Sequence, residues 1–152
     1  ANVFLEMIYG RPLQSTARQL ITHAIVSEIQ LVAPSLFLDE ITEVLCGNLD
    51  DLQEVRQHLF YLEQLVSKKV LLIAVPSVAI RMKAIEIART GNPKSGYPEL
   101  SDALYHALAI INDGIFVTND SKYIVKVKKF GRVAKLADYQ KVFERTENGP
   151  DR

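Results

Sequence analysis

The chain has 152 residues, of which 48% are apolar and 24% charged, the ordinary balance of a soluble globular domain with a sizeable core. Eighteen Lys and Arg match eighteen Asp and Glu, so global charge argues neither for nor against a polyanionic partner. The single cysteine, Cys46, excludes an intrachain disulfide, and the longest fully apolar run, Val70 to Val75, is far too short to span a bilayer. Nothing reads as a signal peptide, and the expected compartment is the cytoplasm.

In chain order, Val3 to Leu5 reads as the tail of an apolar strand or the entry to a helix, and Gly10-Arg11-Pro12 breaks it. Ser15 is placed to cap a helix carrying Ala17, Leu20, Ile21, Ala24, Ile25 and Ile29 at helical spacing. Leu31 to Ala33 is a short strand closed by Pro34-Ser35, and Ser35 is placed to cap the next helix. The next helix has Phe37, Leu38, Ile41, Val44 and Leu45 on its apolar face, with Cys46 as a small core residue, and Gly47-Asn48 as its stop. Asp50 or Asp51 caps a further helix, with Leu52, Val55, Leu59, Leu62, Leu65 and Val66 inward. Val70 to Val75 is a buried strand. Pro76-Ser77 opens a helix to about Arg89, and a loop through Gly96 and Pro98 follows. A helix from Ser101, a strand from Ile115 to Thr118, a short helix from Ser121 to Val127 and a last strand from Arg132 to Leu136 complete the alternation. Asp138 starts a final helix into Phe143. The expectation is an α/β fold with a mainly parallel sheet, a single domain over residues 1–145 and a flexible tail over 146–152.

Charge is unevenly distributed. Asp39, Glu40, Glu43, Asp50, Asp51 and Glu54 fall in a stretch without Lys or Arg, whereas Lys122, Lys126, Lys128, Lys129, Arg132 and Lys135 fall in one without an acid. Both patterns are compatible with solvated faces; together they also describe a basic rim beside an acidic pocket, suited to a phosphate backbone.

Three acids follow chain breaks at which strand ends and helix starts gather. Glu40 lies near an apolar stripe just after Pro34, where an unpaired charge is costly. Asp102 opens a helix, and Asp120 follows a strand, where open parallel sheets bind their ligands. Each has a plainer reading: a solvated acid, a partner for the helix dipole, a helix cap. Taken jointly they form a carboxylate-only set, which favours the hard cations Mg²⁺ or Mn²⁺ and hydrolysis by activated water. His106, one turn after Asp102, reads better as a hydrogen-bonded core histidine than as a ligand. No phosphate-binding glycine loop, nucleophile elbow or Cys/His zinc cluster is present.

Four segments resemble the motifs of PIN-domain proteins, of the kind found as toxins in VapBC-type toxin–antitoxin pairs. Ala1 to Leu5 is similar to the residues after the first motif acid, and Pro34 to Glu40 to the proline-led segment ending in the second. Ser101 to Ala109 is similar to the third motif, with its acid at Asp102, and Phe116 to Asp120 to the fourth. The resemblance implies a three-layer α/β/α sandwich and an endoribonuclease dependent on Mg²⁺ or Mn²⁺. It implies that Glu40, Asp102 and Asp120 are catalytic metal ligands supported by Asn2 and Thr118. RNA would meet Lys122, Lys128, Lys129 and Arg132, and a homodimer and a small antitoxin partner are expected. The first motif's Asp would precede Ala1, so the sequence as read holds an incomplete catalytic set and is expected to be nearly inactive. A non-catalytic PIN domain that binds RNA or protein is the alternative. A receiver-like acidic pocket fits poorly, because Val70 to Val75 ends in Pro76-Ser77 rather than an Asp.

Overall fold

A computed structural model describes residues 1–141. The expected final helix is therefore described only to residue 141, beyond a 3₁₀ turn at Leu136–Asp138, and the expected tail over 146–152 lies outside the described residues. Seven α-helices and four short strands are described: α1 (Asn2–Ile8), α2 (Gln14–Val26), β1 (Leu31–Pro34), α3 (Leu36–Asn48), α4 (Leu52–Ser67), β2 (Leu71–Ala74), α5 (Val78–Ala88), α6 (Leu100–Ile111), β3 (Phe116–Thr118), α7 (Ser121–Val127) and β4 (Val133–Lys135).

The strands pair in parallel, as the alternation of helix and strand requires, but among the described residues they form two separate two-stranded sheets rather than the single sheet expected. β1 lies on β2 with Leu31 opposite Leu71, and β3 on β4 with Phe116 opposite Val133. Each pair is joined by the helical crossover that parallel neighbours need, α3 and α4 in the first case and α7 in the second. Helix α6 packs on α5 and touches both β1 and β3. Ala103 to Leu108 are all buried, so this helix is apolar around its whole circumference and forms the centre of the core. Phe37, Ile41 and Leu45 of α3, Leu62 and Leu65 of α4, and Ala17, Leu20 and Ile21 of α2 close the core around it.

Several local expectations are met by specific contacts. The Asp51 carboxylate accepts from the Gln53 N–H at 2.8 Å, and the Ser77 hydroxyl accepts from the Ile80 N–H at 3.3 Å, each capping its helix. Helix α3 ends at Asn48, as the Gly47-Asn48 stop predicts. Others differ. Val3 to Leu5 is helical, with Phe4 and Leu5 buried. Ser15 lies inside α2, whose N-cap is Leu13, and Ser35 makes no side-chain cap, because its backbone is already helical where β1 runs directly into α3. Cys46 is exposed rather than in the core. Ile25, Leu38, Leu52 and Val66 are also exposed, each on the outer margin of its apolar stripe.

Candidate functional site

Strand β3 ends at Thr118, and the residues after it form the centre of a hydrogen-bonded cluster. The Thr118 hydroxyl is fully buried; it accepts from Asn2 Nδ2 at 2.8 Å and from the Asp120 N–H at 3.2 Å. Asn2 Oδ1 in turn accepts from the Asn119 N–H at 3.4 Å. One turn along α1, the buried Glu6 accepts from Asn119 Nδ2 at 3.0 Å and from the Leu13 N–H at 3.3 Å. Asn2 and Glu6 share a face of α1 by their i, i+4 spacing, so one helix clips the strand end at two points. Asp120 then caps α7, its Oδ1 accepting from the N–H groups of Lys122 at 2.8 Å and Tyr123 at 3.0 Å.

Asp102 lies in the first turn of α6, and Glu40 in the second turn of α3. The Tyr105 hydroxyl, one turn on from Asp102, donates to Glu40 Oε2 at 2.6 Å and ties the two helices together. Burial and this bond to a carboxylate push the Tyr105 phenol well above its ordinary pKa. The Asp102 carboxyl is raised to about 6, first by burial and then by the negative charges of Asp120, Glu99 and Glu40. Helices α3 and α6 and the end of β3 thus meet in one electrostatic neighbourhood. Among the described residues, no Lys or Arg side chain forms an ion pair with Glu40, Asp102 or Asp120.

His106 is fully buried beside this cluster and turned into the core. Its Nε2 donates to the Gly131 carbonyl at 2.7 Å, leaving Nδ1 to accept from the Tyr123 hydroxyl at 3.2 Å. Burial lowers its pKa, so it stays neutral and serves as a pin between α6, α7 and the turn before β4. This matches its reading as a hydrogen-bonded core histidine.

The donor chemistry suits a hard divalent cation. Glu40 and Asp120 each commit one carboxylate oxygen to the bonds above and keep the other outside them, and the charges bearing on Asp102 are those a cation would offset. Among the described residues, however, no three His, Cys, Asp or Glu side chains converge closely enough to hold one ion as they stand.

The basic residues are more dispersed. Lys122 is exposed in the first turn of α7, next to Asp120. Lys128 and Lys129 are exposed in a 3₁₀ turn at the far end of that helix, with the Lys129 ammonium 5.2 Å from the centre of the Phe130 ring. Arg132 is paired with the Asp113 carboxylate and donates to its carbonyl at 3.0 Å. The β3–β4 register puts Arg132 at the start of these strands, opposite the end that carries Thr118 and Asp120.

Comparison with known protein families matches residues 1–129 to the PIN domain. The chain belongs to the PIN domain family. The matched span contains Asn2, Glu40, Asp102, Thr118 and Asp120. PIN domains are in general nucleases that bind RNA and use divalent metal ions, which supports a hydrolase at a coarse level. No curated protein and no solved structure matches this PIN domain. Among the described residues, no helix is long and apolar enough to cross a membrane.

Four residues of the neighbourhood escaped sequence reasoning. Glu6 carried a faint signal, an acid four residues after Asn2 on an otherwise apolar segment. Glu99 is a second acid within a turn of Asp102. Tyr105 and Tyr123 were concealed by their aromatic character, which reads as core; each uses its hydroxyl inside the site.

Proposed function

We propose that this PIN domain is a metal-dependent endoribonuclease of the toxin type, in which Glu40, Asp102 and Asp120 hold Mg²⁺ or Mn²⁺. The observation that carries this reading is the concentration of carboxylate charge on Asp102 by Asp120, Glu99 and Glu40, inside the span that matches the family. Bound there, the ion supplies an acidified water and neutralises charge on phosphoryl oxygens during phosphodiester hydrolysis. Tyr105 fixes the rotamer of Glu40 through its hydroxyl. Asn2 and Thr118 support the turn that carries Asp120. Lys122, Lys128, Lys129 and Arg132 are the proposed phosphate contacts, and Lys122 is the one whose position beside Asp120 best supports the role.

The wider assignment belongs to the same reading: a cytoplasmic protein, one domain over residues 1–145 with an α/β/α sandwich architecture, acting as a homodimer with a small antitoxin partner. The exposed apolar side chains Leu38, Leu52, Phe60 and Val66, along the groove between α3 and α4, support a protein partner.

Calorimetry with MnCl₂ tests the site directly. The wild-type chain should bind Mn²⁺ weakly and Asp102→Asn more weakly still. Cleavage of a broad single-stranded RNA panel should require Mn²⁺ and disappear in Asp120→Asn. Equal Mn²⁺ binding by wild type and Asp102→Asn would defeat the metal assignment. One observation favours a second reading, a PIN domain that binds RNA without cutting it: no three acids converge among the described residues. RNA binding without Mn²⁺ uptake or cleavage would decide for it.

A further inference from the structure

We propose that Tyr97 and Lys126 form a nucleotide subsite next to the acids, the ring stacking on an unpaired base and the ammonium meeting the adjoining phosphate. The inference rests on the ribonuclease reading and adds to it a subsite for one unpaired nucleotide, built from the α5–α6 loop and α7. Tyr97 lies on the loop between α5 and α6 with 55% of its surface exposed.

The backbone under that ring is held from several sides. A Cβ added to Gly91 would stand 2.3 Å from the Gly96 carbonyl oxygen and 2.5 Å from the Tyr97 Cα, so the two arms of the loop close only because residue 91 is glycine. The Asn92 N–H donates to the Gly96 carbonyl at 3.3 Å, while Asn92 Oδ1 accepts from the N–H groups of Lys94 at 2.9 Å and Ser95 at 3.0 Å. Buried Pro98 follows the ring. From α7, Lys126 Nζ donates to the Tyr97 carbonyl at 3.4 Å. The main chain is fixed while the side chain is left to solvent. That is the arrangement expected of a recognition surface, because a preordered ring loses little freedom on stacking.

Two routes along the chain place this pair near the acids. Tyr97 precedes Asp102 by five residues, a reach of at most about 17 Å. Glu99, between them, is the N-cap residue of α6, and its charge bears on Asp102. Lys126 lies six residues after Asp120 along α7, about 9 Å of helix rise. A few nucleotides of one strand can span that interval. Every base has a π-face, so stacking tolerates sequence. A base paired in an RNA helix does not offer its face, which selects single strands. The Lys126 ammonium uses one N–H on Tyr97 and has two left for a phosphate.

The test is fluorescence anisotropy of a labelled single-stranded oligoribonucleotide, without divalent metal, so that binding is read apart from cleavage. Tyr97→Ala should weaken binding about ten-fold or more. Tyr97→Phe should retain it, and Lys126→Ala should lower both affinity and its salt dependence. One abasic position in the oligonucleotide should weaken binding by wild type as much as Tyr97→Ala does, and cost Tyr97→Ala nothing further. Wild-type binding that is unchanged in Tyr97→Ala, or that prefers a duplex, would overturn the subsite and leave the ribonuclease reading standing. Failure of the wild-type chain to bind any RNA would overturn both. A change in oligomeric state in Tyr97→Ala with RNA binding intact would assign the ring to a protein contact and overturn the subsite.

Discussion

Replacing Asp102 by Asn should make the metal-free protein more stable, and the gain should grow with pH. Asp102 is partly buried and its carboxyl is raised from 3.8 to about 6. Such a group holds its proton more tightly when folded. Its stabilising contribution is fully present below pH 3.8 and is lost as pH rises through about 6. A rise of about two units corresponds to about 3 kcal/mol at most, at 1.36 kcal/mol per unit. Asn keeps the shape and removes both the cost of burying a charge and the repulsion from Asp120, Glu99 and Glu40. We therefore expect a gain of about 1–3 kcal/mol at pH 8, or a Tm higher by about 3–10 °C for a chain of this size. Urea denaturation of both proteins from pH 4 to pH 8 reads the effect: the two curves should lie close near pH 4, diverge up to about pH 6 and stay apart by a constant amount above it. Added Mn²⁺ should narrow the difference, since wild type gains about 1.4 kcal/mol at ten times the Kd and Asp102→Asn gains less. A variant less stable than wild type at pH 8, or two curves that run parallel across the range, would refute the claim that burial and the neighbouring carboxylates hold the Asp102 carboxyl above its ordinary pKa.

Asp120→Asn should leave the Tm within a few degrees, because Asn caps a helix about as well as Asp, while abolishing Mn²⁺ uptake by calorimetry. Thr118→Val should cost about 1–3 kcal/mol in urea denaturation, because Asn2 Nδ2 and the Asp120 N–H lose their acceptor in a buried position. In the Asp102→Asn background, stability should fall as pH drops from 6.5 towards 5. His106, its folded pKa lowered by burial, resists a proton that the unfolded chain accepts, and an unchanged stability over that range would count against a buried neutral imidazole. Gly91→Ala should lower the Tm by several degrees, since its Cβ meets backbone rather than a flexible side chain; an unchanged Tm would show that the loop relaxes freely.

The strands and most helices were legible because their patterns are local. Val70 to Val75 and Ile115 to Thr118 are apolar runs bounded by turn residues, and Ser77, Asp51 and Asp120 are cap residues whose partners lie two or three positions away. The errors also have a local cause. Ser15 and Ser35 lie where caps are expected, yet α2 starts before Ser15 and the backbone of Ser35 is itself helical. Conversely, α2, α4 and α6 end without glycine, through positive φ at Glu28, Lys69 and Asp113, which no composition rule marks.

The site was legible in a different way. Glu40, Asp102 and Asp120 were each ambiguous alone, and what joined them was the expectation that strand ends and helix starts gather at one edge of a parallel sheet. The side-chain bonds that bring their elements together are long-range: Tyr105 to Glu40 across 65 residues, Asn2 to Thr118 across 116, Glu6 to Asn119 across 113. Spacing rules do not reach that far. Buried hydroxyls and amides of this kind cost about 1–3 kcal/mol each when left unpaired, so the network is both what fixes the acids and what ties their geometry to folding. It follows that substitutions at Asn2, Thr118 or Tyr105 should move stability and metal affinity together. Substitution at Asp102 should move them in opposite directions, and that opposition separates a residue that binds the ion from residues that only hold it in place.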